Sequence, residues 1–358
     1  NELVELQQSD RQENQLRYYK PVSPQAQTIH VLETKTIGIG GGNGASKTDT
    51  ALVELVIRAT GQVPLSLRHL YPRSKLRGPI KTRVVVESLT TTLVPTILPK
   101  LQWFAWQGVS LPGGEQGHWG WIPKHCLIQG DWKKSWNERL RTLRLLYRDP
   151  DEPERVIGQS SIQFMSYDQD PTDFASGDYH FILHDEPPKY AIWREDRARV
   201  MRVDGTMMLA MTWPDDPAIP IEWIFDEVYD KGQPGPNKDK NVDWINLFTT
   251  DNPNLNQAAV AERANQMSDG ERQVRILGQP IRFTNRIHPL FTDQTRQWCW
   301  TCGKDVFASD YVCPKGHHDV IDFIHVGQYP AERSWPCVYV LDPHPRKPHM
   351  MTWTQITP

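Results

Sequence analysis

The sequence predicts an α/β protein built on a mostly parallel sheet with helices on both faces. Three observations predict it. Apolar runs alternate with amphipathic stretches along most of the chain. Those runs are continuous, as strands buried on both faces read. A glycine-rich turn follows the first run and opens straight into a helical stretch, the strand–turn–helix order of a parallel-sheet unit.

The elements follow in order. TKTIGI (34–39) reads as a buried strand and SKTDTALVELVIRAT (46–60) as a helix. RVVVES (83–88) is the next strand. LTTTLVPTILPKLQWF (89–104) is helix-like but interrupted by prolines, which cannot donate within a helix. Residues 108–122 are a Gly/Trp-rich loop. NERLRTLRLLYR (137–148) fits helix or strand, and periodicity does not choose between them. RDPDEPER (148–155) is a turn and SSIQFMSYD (160–168) an alternating strand. YHFILH (179–184) is a buried strand stopped by Pro187-Pro188. Residues 189–202 are helix, 205–213 strand, 221–231 helix, 232–240 a flexible loop, and 242–250 the last strand of the set. Helical stretches follow at 256–267 and 271–279.

Composition sets the outer limits. A chain of 358 residues, 38% hydrophobic, is long enough for about two domains and a large core. A net charge of −3 excludes a global field that draws the molecule to nucleic acid, so any such contact is local. No apolar run approaches the ~20 residues of a membrane span, and no signal peptide is present. The 14 tryptophans read as packing residues. The chain opens without methionine and closes at Thr357-Pro358, which suggests a piece of a longer protein.

GGGNGASKT (40–48) carries the first chemistry. Gly40, Gly41, Gly42 and Gly44 allow a tight turn whose N–H groups point at phosphate oxygens, with Asn43, Ala45 and Ser46 completing the loop. Lys47 reaches the β- and γ-phosphates and the Thr48 hydroxyl binds Mg²⁺. The following helix adds its dipole. One departure stands out: Ser46 occupies the position where the G-x-x-x-x-G-K-[ST] pattern has its last glycine.

FILHDEPP (181–188) supplies the second half. Asp185, at the carboxyl end of its strand, holds Mg²⁺ through water. Glu186 orients or deprotonates the attacking water. Loop and acidic pair together predict a P-loop NTPase fold of the ASCE type and an Mg²⁺-dependent ATPase, with Lys47 and Glu186 as its catalytic residues.

The cysteines carry a third signal. Five cysteines, odd in number and clustered, argue for a reducing compartment and a metal instead of a disulfide framework. Cys299 and Cys302 form a C-x-x-C, and Cys313 precedes His317-His318. Three thiolates and one imidazole make a tetrahedral Zn²⁺ set of structural type, a small ribbon or knuckle, since four protein ligands leave no open position. Gly316 and the extra residue give the chain room to turn back, which favours His318 over His317. Cys126 and Cys337 read as buried small hydrophobes.

The order of these motifs resembles the large subunit of the tailed-phage terminase. PQAQTIH (24–30) precedes the loop, GGNGASKT takes the phosphate loop's place, and residues 160–188 run from a Ser-rich strand to the acidic pair. LAMTWP (209–214) is similar to the family's coupling motif, and residues 248–291 resemble its closing segment. The resemblance implies an ATP-driven motor that moves viral double-stranded DNA into a procapsid. It implies Gln27 as the residue that reads adenine. It implies a homo-oligomeric ring at the portal protein, a small-subunit partner, a bacterial host's cytoplasm and no membrane. WPCVYVLDPHPRKPHMMTW (335–353) resembles the first strand of the family's ribonuclease-H-like nuclease, with Asp342 as its first metal-binding carboxylate. That nuclease is incomplete in this chain.

The expected organisation is a segment 1–30 on the adenine side, an ATPase domain 31–291, a zinc module 292–330 and the start of a nuclease domain 331–358. The family's loop arginine is absent here, so the charge-stabilising arginine comes from elsewhere. Arg139, Arg141, Arg144, Arg148, Arg194, Arg197 and Arg199 are the candidates. The basic stretch 72–83 is either a DNA-phosphate contact or a solvated loop. A second function class fits the same motifs: a helicase-like DNA-dependent ATPase whose zinc ribbon binds DNA. A third is a zinc-stabilised interaction protein with an inactive nucleotide site.

Overall fold

The structure, a computed structural model, describes residues 6, 9–11, 13–102, 120–214, 219–280, 296–302, 304–306, 312–313, 315–323, 337–342 and 350–355. The chain divides into two compact units, Asn1–Arg282 and Phe283–Pro358. The first is an α/β unit on an eight-stranded sheet of order β3-β4-β5-β2-β6-β7-β1-β8.

Six strands run parallel: β1 (Thr36–Gly41), β2 (Lys81–Val86), β5 (Val156–Ser166), β6 (Phe181–Asp185), β7 (Thr206–Met211) and β8 (Val242–Leu247). One additional strand, β7, separates the loop-bearing β1 from the acidic-pair strand β6, as the ASCE type requires. Residues 137–148, which periodicity left open, form a turn at 138–141 followed by a strand. β3 (Trp136–Asn137) and β4 (Thr142–Arg148) pair antiparallel and extend the sheet past β5. TLRLLYR alternates buried and less buried positions once β5 is its neighbour, a long-range choice that the local sequence does not encode. β5 starts at Val156, four residues earlier than the alternating run suggested.

Helices cover both faces. α1 (Pro24–Val31) starts with Pro24 at its first position and Ser23 as cap, its hydroxyl accepting from the Ala26 N–H at 3.2 Å. α2 (Lys47–Thr60) is buried nearly all round, which explains its apolar content, and Gly61 ends it at φ 73°. α3 (Tyr190–Met201) follows β6. Prolines in 89–104 convert the expected helix into the wide π-turns of Leu89–Ile97, because Pro95 cannot donate to the ordinary ladder. α4 (Gln257–Gln266) and α5 (Asp269–Arg275) follow β8, and Ser268 and Glu271 form a capping box at α5. Tryptophans do pack the interior: Trp193 and Trp213 are buried, and Trp213 stacks on Phe225 with ring centroids 4.6 Å apart. Cys126 is buried as well.

The basic stretch 72–83 is not a free cationic patch. Lys75 is buried on Glu54 at 2.6 Å, and Arg83 is buried on Asp196. Arg73 pairs with Asp151, and Arg77 pairs with Asp204 at 3.2 Å. Glu54 also binds His30 (3.0 Å), Arg58 (2.7 Å) and the Tyr71 hydroxyl (3.0 Å). Burial alone would raise the Glu54 carboxyl, but Lys75 and Arg58 hold it below the usual range. Such buried charges are costly unless fully paired, as these are.

The second unit contains the three-stranded antiparallel sheet β10-β9-β11, formed by β9 (Arg296–Cys299), β10 (Lys304–Val306) and β11 (Val320–Phe323). It also contains a hairpin of β12 (Cys337–Asp342) and β13 (Met350–Gln355). The expected segments 292–330 and 331–358 both fall in this unit. Parts of the expected readings, residues 103–119 and 281–291 among them, lie outside the described residues.

Candidate functional site

The carboxyl ends of β1, β7 and β6 share one sheet edge, where open α/β folds place ligands. Gly40 stands level with Met211 on β7, and Asp185 level with Ala210. The loop after β1 and the acidic pair after β6 thus emerge side by side, two strand spacings or ~10 Å apart. α2 bridges that gap. Thr48 Oγ1, in its first turn, donates to Asp185 Oδ1 at 2.9 Å.

Lys47 is 8% exposed, and its Nζ donates to Gly42 O at 2.8 Å. Burial lowers its pKa, against the pull of Glu186 and Asp185. Burial likewise pushes Asp185 up to about 6 and Glu186 up to about 7. A buried carboxylate near neutrality suits a group that must accept a proton.

The glycines divide into two roles. Gly38 and Gly40 lie within β1, where an added Cβ would meet the Trp244 ring at 2.2 and 2.6 Å. They permit close packing by β8 and are not part of the turn. The turn itself is made at Gly44 (φ 75°) and Ser46 (φ 64°). Ser46 therefore sits in the left-handed conformation that favours glycine, at a cost of about 1–2 kcal/mol. Asn252 explains how serine is tolerated: its Nδ2 donates to Gly44 O at 2.7 Å and to Ser46 Oγ at 3.1 Å. Thr249 Oγ1 donates to Asn43 O at 2.9 Å, and the Asn43 N–H donates to Arg275 O at 2.7 Å. Thr249 and Asn252 were missed as site residues. In sequence they read as turn chemistry after the last strand, and only the fold brings them to the loop.

Glu186 also has positive φ, 70°. Its Oε2 accepts from the Thr212 N–H at 2.9 Å, so LAMTWP does meet the acidic pair. The Glu186 N–H donates to Ala210 O at 2.8 Å.

A cavity of about 600 Å³ opens beside the start of α2. Tyr18, Tyr19, Val22 and Trp121 form an aromatic and apolar wall facing Ser46, Asp49 and Thr50. Gln15 lines it too, and its Oε1 is buried without a hydrogen-bond partner among the described residues. Gln27 lies on the exposed face of α1 and is not part of this lining. The helical period turns Ala26, Ile29 and His30 inward and leaves Gln27 outside.

Of the candidate arginines, Arg148 binds His125 O, Pro153 O and Glu154 O, and Arg197 pairs with Glu227 at 2.6 Å. Arg199 donates to Ala175 O at 2.7 Å.

In the second unit Cys299, Cys302, Cys313 and His317 place their ligand atoms within 4.8 Å of one another. His317 Nδ1 lies 3.5, 3.2 and 3.4 Å from the three sulfurs, and Cys302 Sγ lies 3.9 Å from Cys313 Sγ. A tetrahedral Zn²⁺ at ordinary bond lengths separates two sulfurs by about 3.8 Å and sulfur from nitrogen by about 3.6 Å. The donor set fits the ion. Backbone N–H groups of Cys302 and Lys315 point at Cys299 and Cys313 Sγ, both at 3.4 Å, and favour thiolates. The expected preference for His318 is corrected. Gly316 (φ 81°) and the bond from Cys313 N to His317 O at 2.9 Å tighten the turn enough to bring His317 inward, and His318 is exposed. Asp342 is the last residue of β12, opposite Met350, and its side chain lies outside the described residues.

The strand order and the glycine-rich loop at the sheet edge together give an α/β architecture of the P-loop type. No protein-family model and no curated protein matches the sequence. Among solved structures, a mutant ATPase domain of the Thermus phage P74-26 large terminase is similar over 75% of this chain and 97% of that one, at 13% identity and a TM-score of 0.47. The large terminase of a second, thermophilic bacteriophage is similar over 74% of this chain, at 12% identity and a TM-score of 0.45. A structure of that second terminase in complex with ADP gives 13% identity and a TM-score of 0.43. The chain spans about half the length of the second terminase, 51% in both structures. Likenesses at this level carry no functional weight, so function rests on the geometry above.

Proposed function

We propose that this chain is an Mg²⁺-dependent ATPase and the motor subunit that drives viral double-stranded DNA into a procapsid. The observation that carries the ATPase reading is the meeting of Thr48 and Asp185 at 2.9 Å, with Lys47 and Glu186 beside them. These oxygens are hard donors suited to Mg²⁺, which supplies charge neutralisation on the phosphates when bound. Lys47 exchanges Gly42 O for phosphate oxygens. The free N–H groups of the first turn of α2 bind phosphate beside it. Deprotonated Glu186 holds and orients the attacking water. The wall of Tyr18, Tyr19 and Trp121 takes the base, and Gln15 Oε1 accepts from the exocyclic amine of adenine, the role expected of Gln27.

The motor reading rests on the motif order and on Thr212, which ties the coupling segment to Glu186. A ring of subunits, an arginine supplied in trans, portal and small-subunit contacts, a position at the portal in a bacterial cytoplasm and an Asp342-containing nuclease belong to this reading. The test is phosphate release and movement on DNA. ATP turnover stimulated by double-stranded DNA, with movement that leaves the strands paired, is expected. ATP-dependent strand separation would identify the helicase-like alternative, and no turnover in any DNA condition would contradict both.

We also propose one structural Zn²⁺ held by Cys299, Cys302, Cys313 and His317. The second unit has few buried apolar residues among those described, the cluster Cys299, Cys313 and Val320 with Cys302 against it. Metal therefore supplies much of the local folding energy. Elemental analysis should find one zinc per chain. His318→Ala should keep it, while Cys299→Ser with Cys313→Ser should lose it. Nucleotide binding by the first unit should survive removal of zinc when Mg²⁺ is resupplied. Zinc retained in the double cysteine variant, or absent from the wild type, would refute the assignment.

A further inference from the structure

Four buried polar side chains behind the acidic pair have no part in the mechanism above: Arg83, Tyr167, His184 and Asp196. They form one line. Arg83 on β2 pairs with Asp196 on α3, its guanidinium carbon 4.1 Å from the Tyr179 ring centroid and 5.3 Å from that of Phe174. Asp196 Oδ2 lies 3.3 Å from His184 Nε2 without hydrogen-bond geometry. The His184 ring lies nearly parallel to Tyr167, at 11° and 6.1 Å between centroids, with Nδ1 3.4 Å from the Tyr167 hydroxyl. The Tyr167 hydroxyl donates to Glu186 O at 2.8 Å.

We infer that Tyr167 is a positioning residue that holds Glu186 in its working conformation, its ring packed nearly parallel on that of His184. The inference rests on the reading of Glu186 as the residue that orients the attacking water. Glu186 has a φ of 70°, which a residue with a side chain keeps only where its surroundings over-determine it. Its N–H is fixed by Ala210 O. Its carbonyl is fixed by Tyr167, the one side-chain donor to that oxygen among the described residues. Pro187 follows and favours extended backbone at the residue before it, so the positive φ of Glu186 depends on these two bonds. With both peptide planes held, the Cα–Cβ bond has one direction, and the carboxylate hangs beside Lys47 and Thr212.

Tyr167→Phe removes the short bond to Glu186 O together with the longer hydroxyl contacts to Asp185 O (3.3 Å) and His184 Nδ1 (3.4 Å), while the ring still fills its site against His184. A displacement of the order of 1 Å at a reacting group costs up to about a hundredfold in rate. The variant is expected to lower kcat between about tenfold and a hundredfold. Affinity for a non-hydrolysable ATP analogue and the thermal melting point should stay near wild type. In a Glu186→Gln background the same change should cause no further fall, since a residue that acts only through Glu186 has nothing left to position. Wild-type kcat in Tyr167→Phe would overturn the inference, as would lost nucleotide affinity or the same fractional fall in the Glu186→Gln background. Wild-type turnover in Glu186→Gln itself would remove the reading beneath it, and the inference with it.

Discussion

Glu186→Gln is expected to slow ATP turnover by about 10²–10⁴ while leaving nucleotide binding intact. Glutamine keeps the size and one hydrogen-bonding oxygen, so the bond from the Thr212 N–H can persist. It cannot take a proton from water. The pH dependence gives a second reading of the same group. Burial pushes Glu186 up to about 7, so the base is half protonated near neutrality and kcat/KM should fall as pH drops through that value. In the glutamine variant the limb near 7 should disappear, leaving the one that Asp185 gives near 6. Stability has the opposite sign. A carboxyl raised in the folded state binds protons that the unfolded chain has released, so its contribution weakens as pH rises from about 4 to 7. Glu186→Gln escapes that penalty and should be at least as stable as the wild type at pH 8. Slow turnover then cannot be attributed to unfolding. Phosphate-release rates across pH, with melting curves on the same samples, check all three statements.

Lys47→Ala should be more damaging, because it acts on binding and chemistry together. The ammonium group faces two buried carboxylates and a loop built for phosphate. Its loss removes charge stabilisation from the transferred phosphoryl group, worth about 10²–10³ by analogy with single oxyanion donors. It also leaves Asp185 and Glu186 without their nearest cation on the loop, so both should become harder to ionise. Fluorescent-nucleotide titration should show weakened binding and phosphate release should fall to background. A Lys47→Ala chain with measurable turnover and unchanged affinity would mean that phosphate is held elsewhere.

The parallel strands were legible in the sequence because each is an apolar run closed by a turn signal, as in TKTIGI before the loop and FILH before Asp185-Glu186. The acidic pair and Lys47-Thr48 were legible for the same reason: their spacing to a strand end is local. What was not legible depends on residues distant in sequence. TLRLLYR becomes β4 only because β5 lies beside it. Lys75 and Arg83 look like surface charges until Glu54 and Asp196 are placed against them. Ser46 looks like a defect in the loop until Asn252, 206 residues away, is seen to hold its hydroxyl. The two candidate histidines differ by one step in a turn, and it is His317, after Gly316 with its positive φ, that joins the three cysteines. Gln27 carries the motif, yet the face of α1 on which it falls leaves Gln15 to line the cavity.

The central claim is that Lys47, Thr48, Asp185 and Glu186 form one ATP-hydrolysing centre. A single-turnover experiment tests it most directly. Wild-type and Glu186→Gln proteins are mixed with labelled ATP, Mg²⁺ and double-stranded DNA, and bound nucleotide and released phosphate are measured in the same sample. Equal amounts of bound nucleotide, with phosphate released at a normal rate by the wild type alone, is the predicted result. Equal phosphate release by both proteins, or no nucleotide bound by either, would contradict it.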